Sequence, residues 1–295
     1  MLGIVGTVPD PQFPLLHGIV RWVDGCIEIG GRRVRVNRCT PALIAAALRA
    51  AECVSAPEIY AFLVGDIGKG NGSRRLYPFL ERHLHEFDFQ ALTFHYLQPD
   101  VDWHNKVLFA VEDMPKRPIL IADAGFMYAA KMSGRAADYD FFTPDAGELA
   151  FLADELAPHP FYTRGFILHQ NNNLPDLVQR AYQHQNAARY LLVKGGTDYI
   201  ACEGRVVEKV AQPAFDAMEA IGGTGDSLTG LLTTLCGAGF SAMDAGRLAL
   251  LANRWAGYYA APHPAMQVSE LIDKIPLALA RLLENKSREA LHGRS

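Results

Sequence analysis

GGTGDSLTG, residues 222–230, joins a glycine-rich turn to an apolar stretch, residues 228–235, whose composition is compatible with a helix. Gly223, Thr224 and Gly225 allow consecutive backbone N–H groups to point into one small volume. A helix that begins there adds the partial positive charge of its N-terminus. The stretch therefore predicts an anion hole, suited to a phosphate or to the charge on a phosphoryl group during transfer.

Asp226 is the unusual residue of this turn, because its carboxylate would repel a bound phosphate. An acid in that position has a use if it takes the proton from a hydroxyl nucleophile, and we interpret Asp226 as such a general base. The alternative is an ordinary glycine turn in which Asp226 only stabilises the first turn of a helix.

The composition of the 295 residues, 49% hydrophobic and 20% charged with a net charge of −4, is typical of a globular enzyme and not of a nucleic-acid-binding protein. The five cysteines form no Cys-x-x-Cys pair, which favours a reducing cytoplasm over a disulfide framework or a zinc site. The N-terminus lacks the basic leader of a signal peptide, and no uncharged apolar run reaches membrane-spanning length.

The order of apolar and helical segments predicts an α/β fold in a single domain, residues 1–295, with partly antiparallel strands in residues 1–36. The alternation that follows predicts a mainly parallel central sheet with helices on both faces. The last residues, 287–295, are expected to be a disordered tail. Strands are predicted at residues 59–64, 91–96, 119–122, 139–142, 166–169 and 190–193, a hairpin at 198–210, and helices from 41, at 75–87, 145–155, 173–185, 227–238, 241–261 and 268–285.

Ligands of open α/β sheets bind past the carboxyl ends of the strands, and the predicted strand ends here carry polar residues. The loop GDIGKGNGS, residues 65–73, lacks the Walker A spacing but offers Lys69 and backbone amides to an anion; a flexible surface loop is the alternative. Asp123 follows the next strand but one. The segment TPDAGE, residues 143–148, contains Thr143 as a candidate helix N-cap followed by Pro144.

The ordered set of TPDAGE, KGGT (residues 194–197) and GTGDSLTG resembles the ribokinase-like superfamily. Within it, the chain is most similar to the ADP/ATP-dependent NAD(P)H-hydrate dehydratases, whose motifs run TPHxGE, KGxxT and GTGDxLxG. The resemblance covers residues 110–265 and implies a three-layer αβα sandwich. The chain departs from the family at Asp145, where the family has histidine, and at KGGT, which is one residue shorter. Only Asp123 remains of a pair of aspartates.

The resemblance implies that ADP or ATP contacts Lys194, Gly195, Thr197 and Gly222. It also implies a Mg²⁺ ion that bridges the phosphates, with Glu148 as a candidate to bind it through water. The reaction implied is phosphorylation of a hydroxyl of NADHX or NADPHX, followed by its elimination. A sugar or vitamin-alcohol kinase and a non-catalytic nucleotide-binding protein remain as alternatives. Small molecules are the expected partners, without nucleic acid or membrane, and a homo-oligomer is allowed. The residues assigned to the substrate side are Lys69, Asp123, Asp145 and Glu148.

Overall fold

The computed structural model describes residues 1–157, 173–263 and 265–292, so the strand predicted at 166–169 lies outside the described residues. Within these ranges the strands form a nine-stranded and a three-stranded sheet. The strands are β1 (Leu2–Val8), β2 (Leu16–Ile19), β3 (Arg21–Val23), β4 (Cys26–Ile29), β5 (Arg32–Arg35), β6 (Ile59–Gly65), β7 (Ala91–His95), β8 (Ile119–Asp123), β9 (Phe141–Phe142), β10 (Tyr190–Val193), β11 (Asp198–Cys202) and β12 (Arg205–Val210).

The large sheet has the order β12-β11-β10-β9-β8-β7-β1-β6-β2. Neighbouring strands from β10 to β6 in this order are parallel, while β2 and the β11–β12 hairpin add antiparallel edges. The register places Val5 of β1 between Phe62 and Phe94. The small sheet, β3-β4-β5, is wholly antiparallel, as predicted from the turns in residues 18–36.

Strand β1 lies inside the sheet, yet the sequence pattern did not predict it. Two glycines interrupt its apolar run LGIVGTV and weaken the strand signal. One of them, Gly6, is required by packing, because a Cβ there would lie 2.3 Å from Thr40 Oγ1 and 2.6 Å from the His95 carbonyl oxygen. The absence of a side chain thus lets a helix and a neighbouring strand approach β1 closely.

Helices cover both faces of the large sheet and complete a three-layer αβα sandwich. One face packs against α1 and α7–α10, and the other packs against α2–α6. No helix in the described ranges is long and apolar enough to cross a membrane. The helices are α1 (Cys39–Ala51), α2 (Asn71–His83), α3 (Val101–Glu112), α4 (Gly125–Met132), α5 (Ala146–Ala153), α6 (Leu174–Gln183), α7 (Thr224–Gly237), α8 (Ala242–Ala260), α9 (Val268–Ile272) and α10 (Ile275–His292).

At the C-terminal end, the single helix predicted at 268–285 was wrong, and the structure also differs from the disordered tail expected at 287–295. The single helix expected at 268–285 is divided into α9 and α10, because Pro276 has no N–H to continue the hydrogen-bond ladder and instead occupies the first turn of a new helix. Helix α10 then continues to His292, into the tail 287–295 that was expected to be disordered. Residues 293–295 lie outside the described part of the chain.

Helix α1 also begins differently from the prediction, which started it at residue 41. The helix starts at Cys39, and Thr40 is buried inside its first turn. The Thr40 hydroxyl accepts a hydrogen bond from the backbone N–H of Thr7 at 3.1 Å. The first N–H group of α1, that of Cys39, donates to the Asp226 carboxylate at 2.6 Å, so the helix is capped from a distant part of the chain.

Helix α7 carries the motif 222–230 and packs along α1 at the carboxyl ends of the central strands. The last glycine of the motif, Gly230, serves this packing: a Cβ there would lie 2.1 Å from the Leu43 carbonyl oxygen of α1. Because the two helices touch backbone to backbone, the N-terminus of α7 is held beside β7 and β8.

Candidate active site

A cavity of about 820 Å³ opens at the carboxyl ends of the parallel strands. It brings together most of the residues that the sequence predicted for the site, which come from four separate segments of the chain. Those that line it are Asp123, Asp145, Glu148, Lys194, Gly195, Gly222, Gly223, Thr224, Gly225 and Asp226.

The glycine turn begins helix α7 at the wall of this cavity. Gly223 is the N-cap residue and has φ +104°, a conformation that strains any residue with a side chain. Gly225 faces Lys194, and a Cβ there would lie 3.3 Å from its Nζ. The first N–H groups of a helix have no acceptor within it, so those of Thr224, Gly225 and Asp226 are available to an anion in the cavity.

Two N–H donors from other segments hold the Asp226 carboxylate. Its Oδ2 accepts from the Cys39 backbone at 2.6 Å, and its Oδ1 lies 3.1 Å from Nε2 of His95. Cys39 takes φ +62°, in the left-handed region, at the start of α1. Only 7% of Asp226 is exposed, on the side that lines the cavity. Sequence reasoning noted His95 as a strand end but gave it no role.

A second buried acid, Asp123, forms an ion pair with Lys194. The Lys194 Nζ lies 3.0 and 3.1 Å from the two carboxylate oxygens, and the Thr229 hydroxyl donates to Oδ2 at 2.7 Å. Burial by itself would raise the pKa of Asp123, but Lys194 and the Thr229 hydroxyl outweigh it and hold that pKa below its usual range. The pKa of Lys194 is raised by the same pair despite burial, so both groups stay charged.

Helix α5 starts in the cavity with a capping box, in which Asp145 and Glu148 each accept the other's backbone N–H, at 2.8 and 2.9 Å. The prediction of Thr143 as the cap was therefore wrong, because the helix begins two residues later and the Asp145 side chain accepts the hydrogen bond from the Glu148 N–H. Thr143 instead hydrogen-bonds Thr229 inside the protein. Burial, together with the charges of Asp123 and Asp145, raises the pKa of Glu148 to about 7 against the opposing effect of Lys194.

The KGGT turn is held from behind by Arg254 of helix α8. Its guanidinium lies 2.6 Å from Asp198 and donates to the carbonyl oxygens of Gly195 and Gly196, each at 3.0 Å. Gly195 and Gly196 line the cavity as a result, whereas Thr197 is half-buried and is not among the lining residues. Sequence reasoning missed Arg254, although an Asn-Arg pair inside the apolar helix α8 is an available signal.

The loop 65–73 does not bring Lys69 to the cavity. Its backbone amides are already occupied, because the Asp66 carboxylate accepts from the N–H groups of Lys69, Gly70, Gly72 and Ser73 at 2.9 to 3.1 Å. The Lys69 side chain is exposed and does not line the cavity. Arg38, just before α1, lines the cavity as a further basic residue beside Lys194, and the sequence analysis assigned it to no site.

The chain is similar in sequence to a known protein family and to a protein of an archaeon. A family model described as NAD(P)H-hydrate dehydratase matches residues 99–277. The chain belongs to this family. An uncharacterized protein of Methanocaldococcus jannaschii is 38% identical to it over 243 residues, which cover 82% of this chain and 100% of that protein.

Comparison with solved structures shows that this member of the NAD(P)H-hydrate dehydratase family has a ribokinase-like fold. A ribokinase-like protein from Enterococcus faecalis has a TM-score of 0.56 at 16% identity, covering 95% of this chain and 86% of its own. A phosphofructokinase-2 variant from Escherichia coli has 0.55 at 14%, covering 95% and 100%. The ADP complex of Bacillus subtilis pyridoxal kinase has 0.53 at 13%, covering 85% and 89%. At these identities the likeness establishes the fold.

The family stretch contains the glycine turn, KGGT, TPDAGE and Asp123, but it begins after His95 and Cys39.

The acids of the cavity are dispersed: no group of three or more His, Cys, Asp or Glu within 1–157, 173–263 and 265–292 is placed to bind a metal ion directly. Asp145 and Glu148 at the cavity wall accept hydrogen bonds from the protein, from the Tyr128 hydroxyl and from each other's backbone N–H.

Proposed function

We propose that this protein is an ADP/ATP-dependent NAD(P)H-hydrate dehydratase, which phosphorylates the hydroxyl of NADHX or NADPHX and then eliminates it. The observation that carries the proposal is Asp226, a carboxylate beside the open N–H groups of helix α7. An acid weakens phosphate binding at such a place, so it is useful there as a base. Family membership favours the hydrated nicotinamide as the source of the hydroxyl.

In the first step, Asp226 takes the proton of the substrate hydroxyl while that oxygen attacks the terminal phosphoryl group of the nucleotide. The bond between that phosphorus and its bridging oxygen breaks, and ADP or AMP leaves. The N–H groups of Thr224, Gly225 and Asp226 point to where the charge of the transferred group develops. Lys194 lies on the same wall and adds positive charge, although part of it is compensated by Asp123.

In the second step, the carbon–oxygen bond to the new phosphate breaks, assisted by the lone pair of the ring nitrogen. Loss of a proton from the adjacent carbon restores the ring double bond, so the products are NADH or NADPH, inorganic phosphate and the spent nucleotide. The protein contributes position and charge to this step, which requires no further side chain.

The nucleotide donor is assigned to the side of the cavity formed by Gly195, Gly222 and the short helix Asp216–Ala220, with Thr197 next to it. Phe215 and Met218 offer apolar surface to a base. Asp145 and Glu148 would hold Mg²⁺ through water, and the ion would offset phosphate charge when bound. The five free cysteines support a cytoplasmic site of action.

The test is turnover of NADHX and NADPHX by purified protein, with ADP or ATP as donor and Mg²⁺ present. Return of the reduced-nicotinamide absorbance, dependent on both donor and protein, is the expected result.

A second function, a kinase acting on a sugar or vitamin alcohol, is favoured by Asp145 at the position of the family's histidine. Donor-dependent phosphorylation of such alcohols without NADHX turnover would establish it. Nucleotide binding without any turnover would identify a non-catalytic protein.

A further inference from the structure

His95 is a fully buried histidine whose ring connects Asp226 to the core, and it lies before the stretch that the family model matches. It ends strand β7, so its backbone position is set by the parallel pairing of β7 with β1 and β8. Its Nε2 lies 3.1 Å from Asp226 Oδ1, and its Nδ1 lies 3.0 Å from Thr40 Oγ1.

The hydrogen atoms of this chain of contacts determine the tautomer of His95. The Thr7 backbone N–H can only donate, so Thr40 Oγ1 accepts it. Because the Asp226 carboxylate can only accept, Nε2 carries a hydrogen, and in the neutral ring Nδ1 then accepts the hydroxyl hydrogen of Thr40. A neutral imidazole with hydrogen on Nε2 results, and this N–H is directed at the Asp226 carboxylate.

The Nε2 hydrogen is committed to Asp226 and not to Asp123. Asp123 Oδ2 is 3.8 Å from Nε2, beyond hydrogen-bond distance, and is satisfied by Lys194 and Thr229. Because Nε2 already carries a hydrogen, a proton that Asp226 takes from a substrate cannot pass to His95. His95 therefore does not relay protons.

We infer that His95 is the positioning residue of Asp226: in its Nε2–H tautomer, held by Thr40, it orients the carboxylate toward the cavity. The inference rests on the proposed role of Asp226 as a base. Without this donor only the Cys39 N–H would hold the carboxylate, which could then rotate away from the cavity. The other groups that face Asp226 are the Cys39 thiol and N–H and Arg38 from the start of α1, Tyr96 from the end of β7, Asp123 from β8 and Lys194 from β10.

Two amide variants, His95→Gln and His95→Asn, test the contacts of the two ring nitrogens of His95 separately. In His95→Gln the side-chain amide nitrogen reaches the position of Nε2 and can still donate to Asp226. In His95→Asn the shorter amide reaches only the position of Nδ1, so the contact with Thr40 survives and the one with Asp226 is lost. A purely structural histidine would tolerate the two changes in the opposite order or equally.

The first measurement is ¹³C NMR of the aspartate carboxyl carbons, with Asp226→Asn used to assign the signal. We expect the Asp226 signal to shift in His95→Asn, which loses the hydrogen bond, and to stay near its wild-type position in His95→Gln. In the wild-type protein, ¹⁵N NMR of the imidazole should show hydrogen on Nε2 and none on Nδ1. An unchanged Asp226 signal in both variants, or hydrogen on Nδ1, would overturn the inference.

The second measurement is turnover. In His95→Asn, kcat should fall roughly 10- to 100-fold with the KM for nucleotide retained. If His95→Asn does not fold, Thr40→Val and its conservative control Thr40→Ser replace it: Val should shift the Asp226 carboxyl signal and lower kcat, and Ser should not. Absence of NADHX turnover in the wild type would refute the proposed function alone, because both NMR measurements need no substrate.

Discussion

Two glycine-rich turns of this protein look alike in sequence and differ in what they can bind. Each has an aspartate near the start of a helix, and each helix follows a glycine in the left-handed region, Gly70 at φ +74° and Gly223 at φ +104°. Before α2, the Asp66 carboxylate fills the ring of N–H groups itself. At the start of α7, the Asp226 carboxylate is turned toward Cys39 and His95, and the first N–H groups of the helix stay open to the cavity.

The difference teaches that a glycine turn is an anion site only when no carboxylate of its own chain occupies it. Burial would raise the pKa of Asp66, but the N–H groups of Ser73, Lys69, Gly70 and Gly72 outweigh burial and lower it. The turn thus closes on an internal anion and becomes a structural element. At the second turn, donors from α1 and β7 hold the acid aside and leave the turn to a ligand.

The largest expected effect is the loss of turnover in Asp226→Asn. The amide cannot accept the hydroxyl proton, so kcat should fall by about two to four orders of magnitude. Affinity for the nucleotide, measured by calorimetry, should be retained or increased, because a charge that repels phosphate is gone. Turnover at the wild-type rate would reduce Asp226 to a capping residue of α1.

This variant also needs a control for stability, because two N–H donors converge on the carboxylate and an amide can accept only one of them. We expect thermal unfolding to report a loss of about 1–3 kcal/mol in Asp226→Asn. In the double variant with His95→Gln, the glutamine can turn its carbonyl to the asparagine and recover part of that stability. Turnover should stay low in the double variant, which separates chemistry from folding.

The matching change at the other turn, Asp66→Asn, should affect stability and leave chemistry intact. A single amide oxygen replaces two carboxylate oxygens that accept from four N–H groups, so the free energy of unfolding should fall by about 2 kcal/mol or more. Urea unfolding measures this loss, and the specific activity of the folded fraction is the control. A large fall in kcat with wild-type stability would contradict the comparison.

Asp66 also predicts a pH dependence. Its pKa in the folded protein lies below that of the unfolded chain, so its contribution to stability is present above the unfolded pKa and is lost as pH falls through the folded one. Acid unfolding of Asp66→Asn should therefore lack part of the slope seen for the wild type below about pH 4. Parallel curves for the two proteins would argue against the lowered pKa.

The sequence predicted the open turn, the alternating α/β order and the cavity acids, because glycine patterns and strand ends are local features. It could not predict β1, whose Gly6 lies against Thr40 and His95, or the capping of α1 by Asp226. Those depend on residues more than thirty positions apart in the chain. The turn before α2 shows the same limit: the pattern GDIGKGNGS indicates available amides, but only the folded loop shows that Asp66 occupies them.

Helix α5 supplies a third helix start, in the same cavity as that of α7, and the pKa of its acid Glu148 is shifted in the opposite direction to that of Asp66. Its pKa in the folded protein, about 7, is above the ordinary value of 4.5. The stability contributed by the protonated form is therefore present below about pH 4.5 and is lost as pH rises to about 7. Relative to Glu148→Gln, which stays neutral, the wild type should lose thermal stability across that interval and change little above it.

The smallest expected effect concerns the basic residue near each turn. Arg38 lines the cavity next to Asp226 and has no carboxylate partner within the described residues, whereas Lys69 points to solvent beside the filled turn. If an anionic dinucleotide extends from the cavity along Arg38, then Arg38→Ala should weaken its binding by about two- to fivefold, the usual effect of an exposed ion pair. The effect should diminish as salt is raised.

Lys69→Ala should bind the same ligand like the wild type, because the Lys69 side chain is outside the cavity and Asp66 excludes an anion from its loop. Calorimetry with NADH as the probe measures both variants, and weaker binding in Lys69→Ala alone would return the substrate side to the loop 65–73.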